Sequence, residues 1–338
     1  MQQTNLGVSL VGCGSARLPI ALTNDDLSQM VETSDEWIAT RTGIRLRYVA
    51  SHQDSLSSLA TDAAHHALQM ASMGAGEVDL IILATSSPDD LFGSAAQVQA
   101  SLGASRAVAF DLTAACSGFV FALVTAAQYM RLGVYQTVLV IGADVLSRWT
   151  DWHDRRTCVL FGDGAGAVVL QASDRDHLRG FELRSDGTLN GCLNLPYQAT
   201  GEMLVPGKTA QKGTYQPISM NGKEVYRFAV KQVPEIIEKA LFRAELTTQD
   251  VDWLLLHQAN QRILDAVASR LNIADEKVIS NMERYGNTSA ASIAIALDEA
   301  VRDGRIKPGD IIACSGFGAG LSWGAAIFEW GSSSASGG

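Results

Sequence analysis

VDLIILATSS (residues 78–87) and VDWLLLHQAN (251–260) are two versions of one segment. Each opens on Val-Asp, continues through an unbroken apolar run and closes on small or polar residues, and the two lie 173 residues apart. An apolar run without alternation reads as a strand covered on both faces, the pattern of a sheet packed between helices. ACSGFVFAL (115–123) and AASIAIAL (290–297) are likewise both small-residue entries to an apolar helix, 174 apart by their final leucines. TVLVIGAD (137–144) and DIIACSGF (310–317) are both strands ending in small residues, with Val138 and Ile311 173 apart. Matched pairs recurring at one offset imply an internal duplication. The boundary is expected near QASDRDHLRG (171–180), which gives an N-terminal half over 1–174 and a C-terminal half over 175–330. The residue 331–338 tail, GSSSASGG, is small and polar and is expected to be disordered.

Each half reads strand, helix, strand, which predicts an α/β fold. The helix after Cys116 carries Phe119, Val120, Phe121, Leu123, Val124, Tyr129 and Met130 and so is apolar nearly all round, as a buried helix is. Its counterpart near 290–303 starts the same way and ends in DEAVRDG, so its far end should reach water. Two buried helices between two sheets, with helices outside, make a five-layered αβαβα sandwich built from two duplicated halves.

The chain has 338 residues, of which 47% are hydrophobic and 18% charged, enough apolar surface for two domain cores. A net charge of −10 argues against a nucleic-acid binder. No run approaches the ~20 apolar residues of a membrane span, and the N-terminus lacks a basic region followed by an apolar one. The five cysteines are widely spaced with no CxxC pair, so neither a disulfide framework nor a metal site is expected, and a reducing, cytoplasmic setting is.

One cysteine stands apart. In DLTAACSGF (111–119) a strand ends, small residues turn, and Cys116 begins the apolar helix. Unpaired N–H groups and the positive end of the helix dipole there can lower a thiol pKa, and the small neighbours leave room for a substrate. Cys13, Cys158 and Cys192 lack this setting and read as structural. His257 ends the strand WLLLHQAN, whereas His52, His65, His66, His153 and His177 have polar or charged neighbours and read as surface or loop residues. Asn287, in RYGNTSAAS, begins the second buried helix as Cys116 begins the first; it suits an N-cap and a catalytic amide alike. By the duplication, all three should converge where the helix N-termini meet. The glycines of CSGFGAGLSWGAA (314–326) permit a tight loop whose N–H groups could face an oxyanion. VGCGSARLP (11–19) has the look of a dinucleotide loop, but Pro19 and the missing helical pattern count against it.

TSDEWIATRTGI, TAACSGF, LFGDGAGA, LHQAN, RYGNTSAAS, ALDEAVRDGRIKPGD and GFGAGLSWG together resemble the thiolase-fold condensing enzymes, specifically the β-ketoacyl-acyl-carrier-protein synthase III family, over essentially the whole chain. The resemblance implies initiation of type II fatty acid synthesis. Cys116 takes an acyl group, typically acetyl, from acyl-coenzyme A; malonyl on acyl carrier protein then loses CO₂ and attacks the thioester. His257 and Asn287 stabilise the enolate, and the N–H groups of Cys116 and Ala319 form the oxyanion hole. Trp37 and Arg155 resemble the pair holding the coenzyme A adenine, and Arg41 a contact to its phosphate-bearing end. Gly222 and Asn260 resemble residues of the pantetheine tunnel, Phe317 the gating phenylalanine, and Phe92 the side chain that crosses a homodimer interface to close the acyl pocket. No cofactor or metal is implied, since acyl-coenzyme A and malonyl-acyl carrier protein are substrates.

Ala319 stands where many members have glycine, Lys223 where some have asparagine, and Ser269 replaces one of two adjacent basic residues, leaving Arg270. Lys223, Arg227 and Lys231 recur every four positions on a predicted helix; with Arg262 and Arg270 they make a basic patch for an acidic carrier protein despite the overall charge. Three other readings stand beside this one: a related acyltransferase of secondary metabolism, a thiolase using Cys314, and a Cys–His–Asn hydrolase.

Overall fold

The valine-, leucine- and isoleucine-rich runs form two five-stranded sheets in a computed structural model of the chain, which describes residues 7–16 and 18–331. The first sheet takes β1 (Gly7–Ser15), β2 (Leu80–Ala84), β3 (Val108–Leu112), β4 (Thr137–Asp144) and β5 (Gly164–Ser173). The second takes β6 (Leu178–Ser185), β7 (Trp253–Leu256), β8 (Val278–Ile279), β9 (Ile311–Gly318) and β10 (Ser322–Glu329). Across the sheets the orders are β1-β5-β4-β2-β3 and β6-β10-β9-β7-β8, so every strand of the second stands where its counterpart stands in the first. Directions repeat too: β2 runs parallel to β3 and β4, and β7 parallel to β8 and β9. The sequence between Ser173 and Leu178 carries the chain from one sheet to the other. The tail beyond Gly331 lies outside the described residues, as do the first six residues.

Helices complete the layers. α1 (Leu56–Met70) and α2 (Ala95–Leu102) pack on the outer face of the first sheet. α3 (Gly118–Arg131) and α6 (Ser292–Arg302) lie between the sheets, and α4 (Gly222–Arg243) and α5 (Gln261–Leu271) cover the second. The result is the five-layered sandwich. Phe119, Val120 and Leu123 of α3 are buried, each side chain contributing about 1.5–3 kcal/mol by leaving water. The helix is not apolar all round its length, however: Tyr129 emerges to solvent near its end.

Gly12 and Gly14 do not form a nucleotide loop. Both lie within β1, where an added Cβ would come within 2.4 Å of Ala67 O and 2.3 Å of Ala67 N respectively. The glycines let α1 lie directly on the strand. His177 also departs from its surface reading: despite charged neighbours it is buried, because its N–H bonds Val8 O and seats the inter-sheet connection against β1.

Candidate active site

β3 stops at Leu112, and a 3-10 turn over Ala115–Ser117 then leads into α3. In the second half a 3-10 turn over Ser289–Ala291 leads into α6 in the same way. Both turns begin on a non-glycine residue in the left-handed region, Ala115 at φ 47° and Ser289 at φ 50°. The register therefore matches Cys116 with Ala290, at the 174-residue spacing, and not with Asn287. Asn287 sits three residues earlier, ahead of the turn. Its position comes from the other half: its N–H donates to Leu160 O at 2.9 Å, and Gly162 N–H donates to its carbonyl at 3.0 Å. Its Oδ1 accepts from Ser289 N–H at 2.9 Å, so the side chain caps the turn rather than the helix, and the Nδ2 protons remain for another acceptor.

Cys116 is 7% exposed. Contrary to the expectation from its place before a helix, its thiol is pushed up to about 12, chiefly by burial; the Ser289 hydroxyl opposes this and the Asp144 carboxylate adds to it. The Ser289 Oγ lies 3.4 Å from the Cys116 sulfur. Cys314, the thiol a thiolase reading would use, is buried inside β9 and lines neither cavity described below.

His257 follows β7 and is buried, with burial alone pushing its imidazole down to about 3, so it is neutral at neutral pH. Its Nδ1 lies 2.7 Å from Ser292 Oγ, and that oxygen also accepts the Gln258 N–H at 3.3 Å. With the serine proton directed to Nδ1, the imidazole proton sits on Nε2. Phe317 meets the imidazole edge to face, ring centroids 5.3 Å apart, and fixes its plane.

Two cavities meet at Cys116. The larger, about 850 Å³, is lined by Leu112, Phe121, Leu146, Trp149 and Ala319 among others and is mostly apolar. The narrower, about 90 Å³, is lined by Gly222, His257, Asn260, Asn287 and Phe317. Asn260 lies at its wall, capping α5 through Oδ1 and donating from Nδ2 to Arg41 O at 3.2 Å. The guanidiniums of Arg41 and Arg155 stand 4.5 and 5.2 Å from the Trp37 ring, so the Trp37 and Arg41 pair of one helix is joined by a distant arginine in one aromatic and cationic cluster. Phe92 does not reach either cavity of its own chain: it is 101% exposed, although its neighbour Leu91 lines the larger one. Arg227, Arg262 and Arg270 are exposed on α4 and α5; Arg227 pairs with Glu224, Arg270 with Glu235, and Arg262 lies over Tyr226.

The turn bonds run from Ser117 N to Ala114 O and from Gly118 N to Ala115 O, which leaves the Cys116 N–H without a backbone acceptor among the described residues, and Ala319 lies past the last ladder pair of β9 and β10. An added Cβ at Gly318 would come within 2.7 Å of Cys116 N. Asp144 holds the matching position in the first half, 174 residues earlier, and there its Oδ2 accepts the Ala290 N–H at 3.2 Å. The space open in one half is thus filled by a carboxylate in the other. Ser289, Asp144 and Ser292 were not singled out in the sequence. Laying TVLVIGAD over DIIACSGFG at the 174-residue offset of the helix pair, rather than the 173 of the strands, would have set Asp144 against Gly318.

Residues 110–187 match a family profile described as 3-oxoacyl-[acyl-carrier-protein] synthase III, and residues 241–330 the profile of its C-terminal part. The β-ketoacyl-[acyl-carrier-protein] synthase III of Nostoc sp. (strain PCC 7120) is 68% identical over 97% of this chain and 99% of its own. That of Synechococcus elongatus is 68% identical over 98% of this chain and 99% of its own. The crystal structure of 3-oxoacyl-[acyl-carrier-protein] synthase III from Aquifex aeolicus superposes with a TM-score of 0.88 at 42% identity, over 96% of this chain and 100% of that one. With its duplicated sandwich and its thiol, imidazole and amide set around one passage, the chain belongs to the β-ketoacyl-[acyl-carrier-protein] synthase III family.

Proposed function

We propose that the chain moves an acyl group, acetyl as the first candidate, from acyl-coenzyme A to Cys116 and then condenses it with malonyl-acyl carrier protein, releasing CO₂. The reading rests on two cavities of different character meeting at one thiol. The apolar one accepts the acyl chain. The passage holding His257 and Asn287 accepts each pantetheine-borne thioester in turn. In the first step the Cys116 sulfur attacks the acyl carbonyl, whose oxygen takes the N–H groups of Cys116 and Ala319, and coenzyme A leaves as a thiol. In the second step the Nε2–H of His257 and the Nδ2–H of Asn287 hold the malonyl thioester oxygen, so loss of carboxylate gives an enolate stabilised by fixed donors. The enolate carbon then attacks the Cys116 thioester, and the new C–C bond replaces the C–S bond. No bound cofactor takes part.

Trp37, Arg41 and Arg155 suit the adenine and phosphates of coenzyme A, an aromatic face flanked by cations. Arg227, Arg262 and Arg270, beside the passage walls of α4 and α5, suit an acidic carrier protein. A homodimer is part of the proposal: β3 is a sheet edge, paired on one side only among the described residues, and Leu91 and Phe92 project at 78% and 101% exposure. Phe92 of a second copy would close the larger cavity. A reducing compartment, the cytoplasm, fits the free thiols.

The test is incubation with acetyl-coenzyme A followed by mass spectrometry of Cys116, then addition of malonyl-acyl carrier protein. Stable acetylation and a 3-ketoacyl product only after the second addition are expected. Release of free acetate would instead favour a hydrolase, and turnover by Cys116→Ala would overturn the assignment. Preference for a long or aromatic acyl group in a substrate panel would move the chain to secondary metabolism.

A further inference from the structure

Ser289 is 2% exposed, lines the larger cavity and donates its hydroxyl to the Cys116 sulfur at 3.4 Å. Its backbone is held on either side. Its own N–H donates to Asn287 Oδ1 at 2.9 Å, and the next N–H, that of Ala290, donates to Asp144 Oδ2 at 3.2 Å. A non-glycine residue rarely takes a φ of 50°, yet Ala115 takes 47° at the matching turn of the first half. The turn therefore does not need a hydroxyl, and the serine oxygen calls for another explanation. Its acceptor changes character during the reaction. A thiol or thioester sulfur accepts a hydrogen bond poorly, whereas a charged acceptor makes the bond about twice as strong. The Asp144 carboxylate takes its own donors from Thr85, Ser86, Ser87 and Ala290, and its charge works against a thiolate.

We propose that Ser289 is a catalytic donor to the Cys116 sulfur, holding the charge that this sulfur carries as it enters and leaves the thioester; the inference rests on Cys116 being the nucleophile. In acylation the thiol gives its proton to water and its electron pair bonds the acyl carbonyl carbon. The bond from that carbon to the coenzyme A sulfur breaks, and the departing sulfur takes a proton back from water. In condensation the enolate carbon bonds the same carbonyl carbon, and the C–S bond breaks with its electron pair on Cys116. A proton from water then restores the thiol. The sulfur is thus a thiolate before the first bond and after the second, and a neutral thioester between them. A hydrogen bond that is strong only where charge develops lowers both barriers without holding the acyl-enzyme back. Decarboxylation is different, because the charge it creates is on the malonyl thioester, which His257 and Asn287 hold. The hydroxyl opposes the burial and the Asp144 charge that keep the proton on the thiol. Of the other titratable groups on the two cavities, His257 stays neutral and Asp89 is paired with Arg148.

Ser289→Ala gives the second turn the residue that the first already carries, so it removes the hydroxyl and keeps the backbone. The rates to read on the full-length protein, near neutral pH, are acetylation of Cys116 by acetyl-coenzyme A and its alkylation by iodoacetamide. To these are added condensation of the acetylated protein with malonyl-acyl carrier protein, and CO₂ release from malonyl-acyl carrier protein with Cys116→Ala as background. Acetylation and condensation are expected to fall roughly 10- to 100-fold, the worth of a hydrogen bond to a charged group. Alkylation is expected to fall less, roughly 3- to 10-fold, because the thiolate that does form is more basic and so more nucleophilic. Condensation should lose at least about tenfold more than CO₂ release does. Unchanged acetylation or unchanged alkylation overturns the proposal. So does an equal loss in condensation and CO₂ release, the result if Ser289 merely seats Asn287 through its N–H. Should Ser289→Ala fail to fold, Ser289→Gly takes its place, since glycine adopts the same φ without strain. Alkylation needs no acyl donor: wild-type protein that takes no acetyl group refutes the condensing-enzyme reading, and the alkylation rates alone then decide whether Ser289 serves the sulfur.

Discussion

Gly318 bears directly on the reacting thiol, because any side chain there meets Cys116 N at 2.7 Å and Cys116 Cβ at 2.9 Å. Gly318→Ala should displace the nucleophile and its N–H together, lowering Cys116 acetylation by at least about 10²-fold, the order lost with one oxyanion donor. Circular dichroism should show the fold retained. His257 carries a pH dependence of stability with a definite sign. Its pKa is pushed to about 3 in the folded chain and is about 6.5 when unfolded, so between these values the unfolded state binds a proton that the folded state refuses. Stability is therefore full above about pH 6.5 and falls on acidification, by roughly 2 kcal/mol at about pH 5 from this group. Melting curves against pH should show this slope in the wild type and a shallower one in His257→Gln. The histidine was legible in the sequence as the polar residue that closes an apolar run. Its tautomer was not, since Ser292 lies 35 residues away.

α4 and α5 pack side by side and put Arg227, Arg262 and Arg270 on an exposed face next to the wall of the narrow passage. If that face meets the carrier protein, Arg262→Glu should raise KM for malonyl-acyl carrier protein about tenfold and more at low salt, because rim charges act mainly on encounter. Acetylation of Cys116 by acetyl-coenzyme A should be unchanged, a split that steady-state and single-turnover rates would reveal. On the opposite side of the molecule, Gly12→Ala should lower the melting temperature, since the new Cβ would strike the α1 backbone and overpacking of this kind costs about 1–3 kcal/mol. The four-residue spacing of Lys223, Arg227 and Lys231 on α4 was readable without coordinates. The same could not be said of the VGCGSARLP glycines, which resemble a loop until the strand and its covering helix are seen together.

For the assembled molecule the prediction concerns partners. Sedimentation should find two chains in solution. Phe92→Ala should leave that mass unchanged while widening the range of acyl-coenzyme A lengths that load Cys116, because an uncapped cavity of about 850 Å³ no longer selects a short chain. Loading of longer chains no better than in wild type would remove Phe92 from the pocket. The duplication, the layer order and the three polar side chains of the passage were carried by local pattern: strands apolar on both faces, an apolar helix, and Cys116, His257 and Asn287 at the ends of such segments. Those features follow from side-chain periodicity and burial, which each segment declares for itself. Register between the halves was a different matter. Asn287 looked like the image of Cys116, yet the coordinates give that place to Ala290 and tie Asn287 to Leu160 and Gly162 of the other half. Likewise a small-residue turn before a helix suggested an acidic thiol, whereas burial raises it and the Asp144 carboxylate raises it further. Hydrogen-bond partners 146 or 173 residues apart leave no periodic mark on a chain, because their meeting depends on how two finished layers stack.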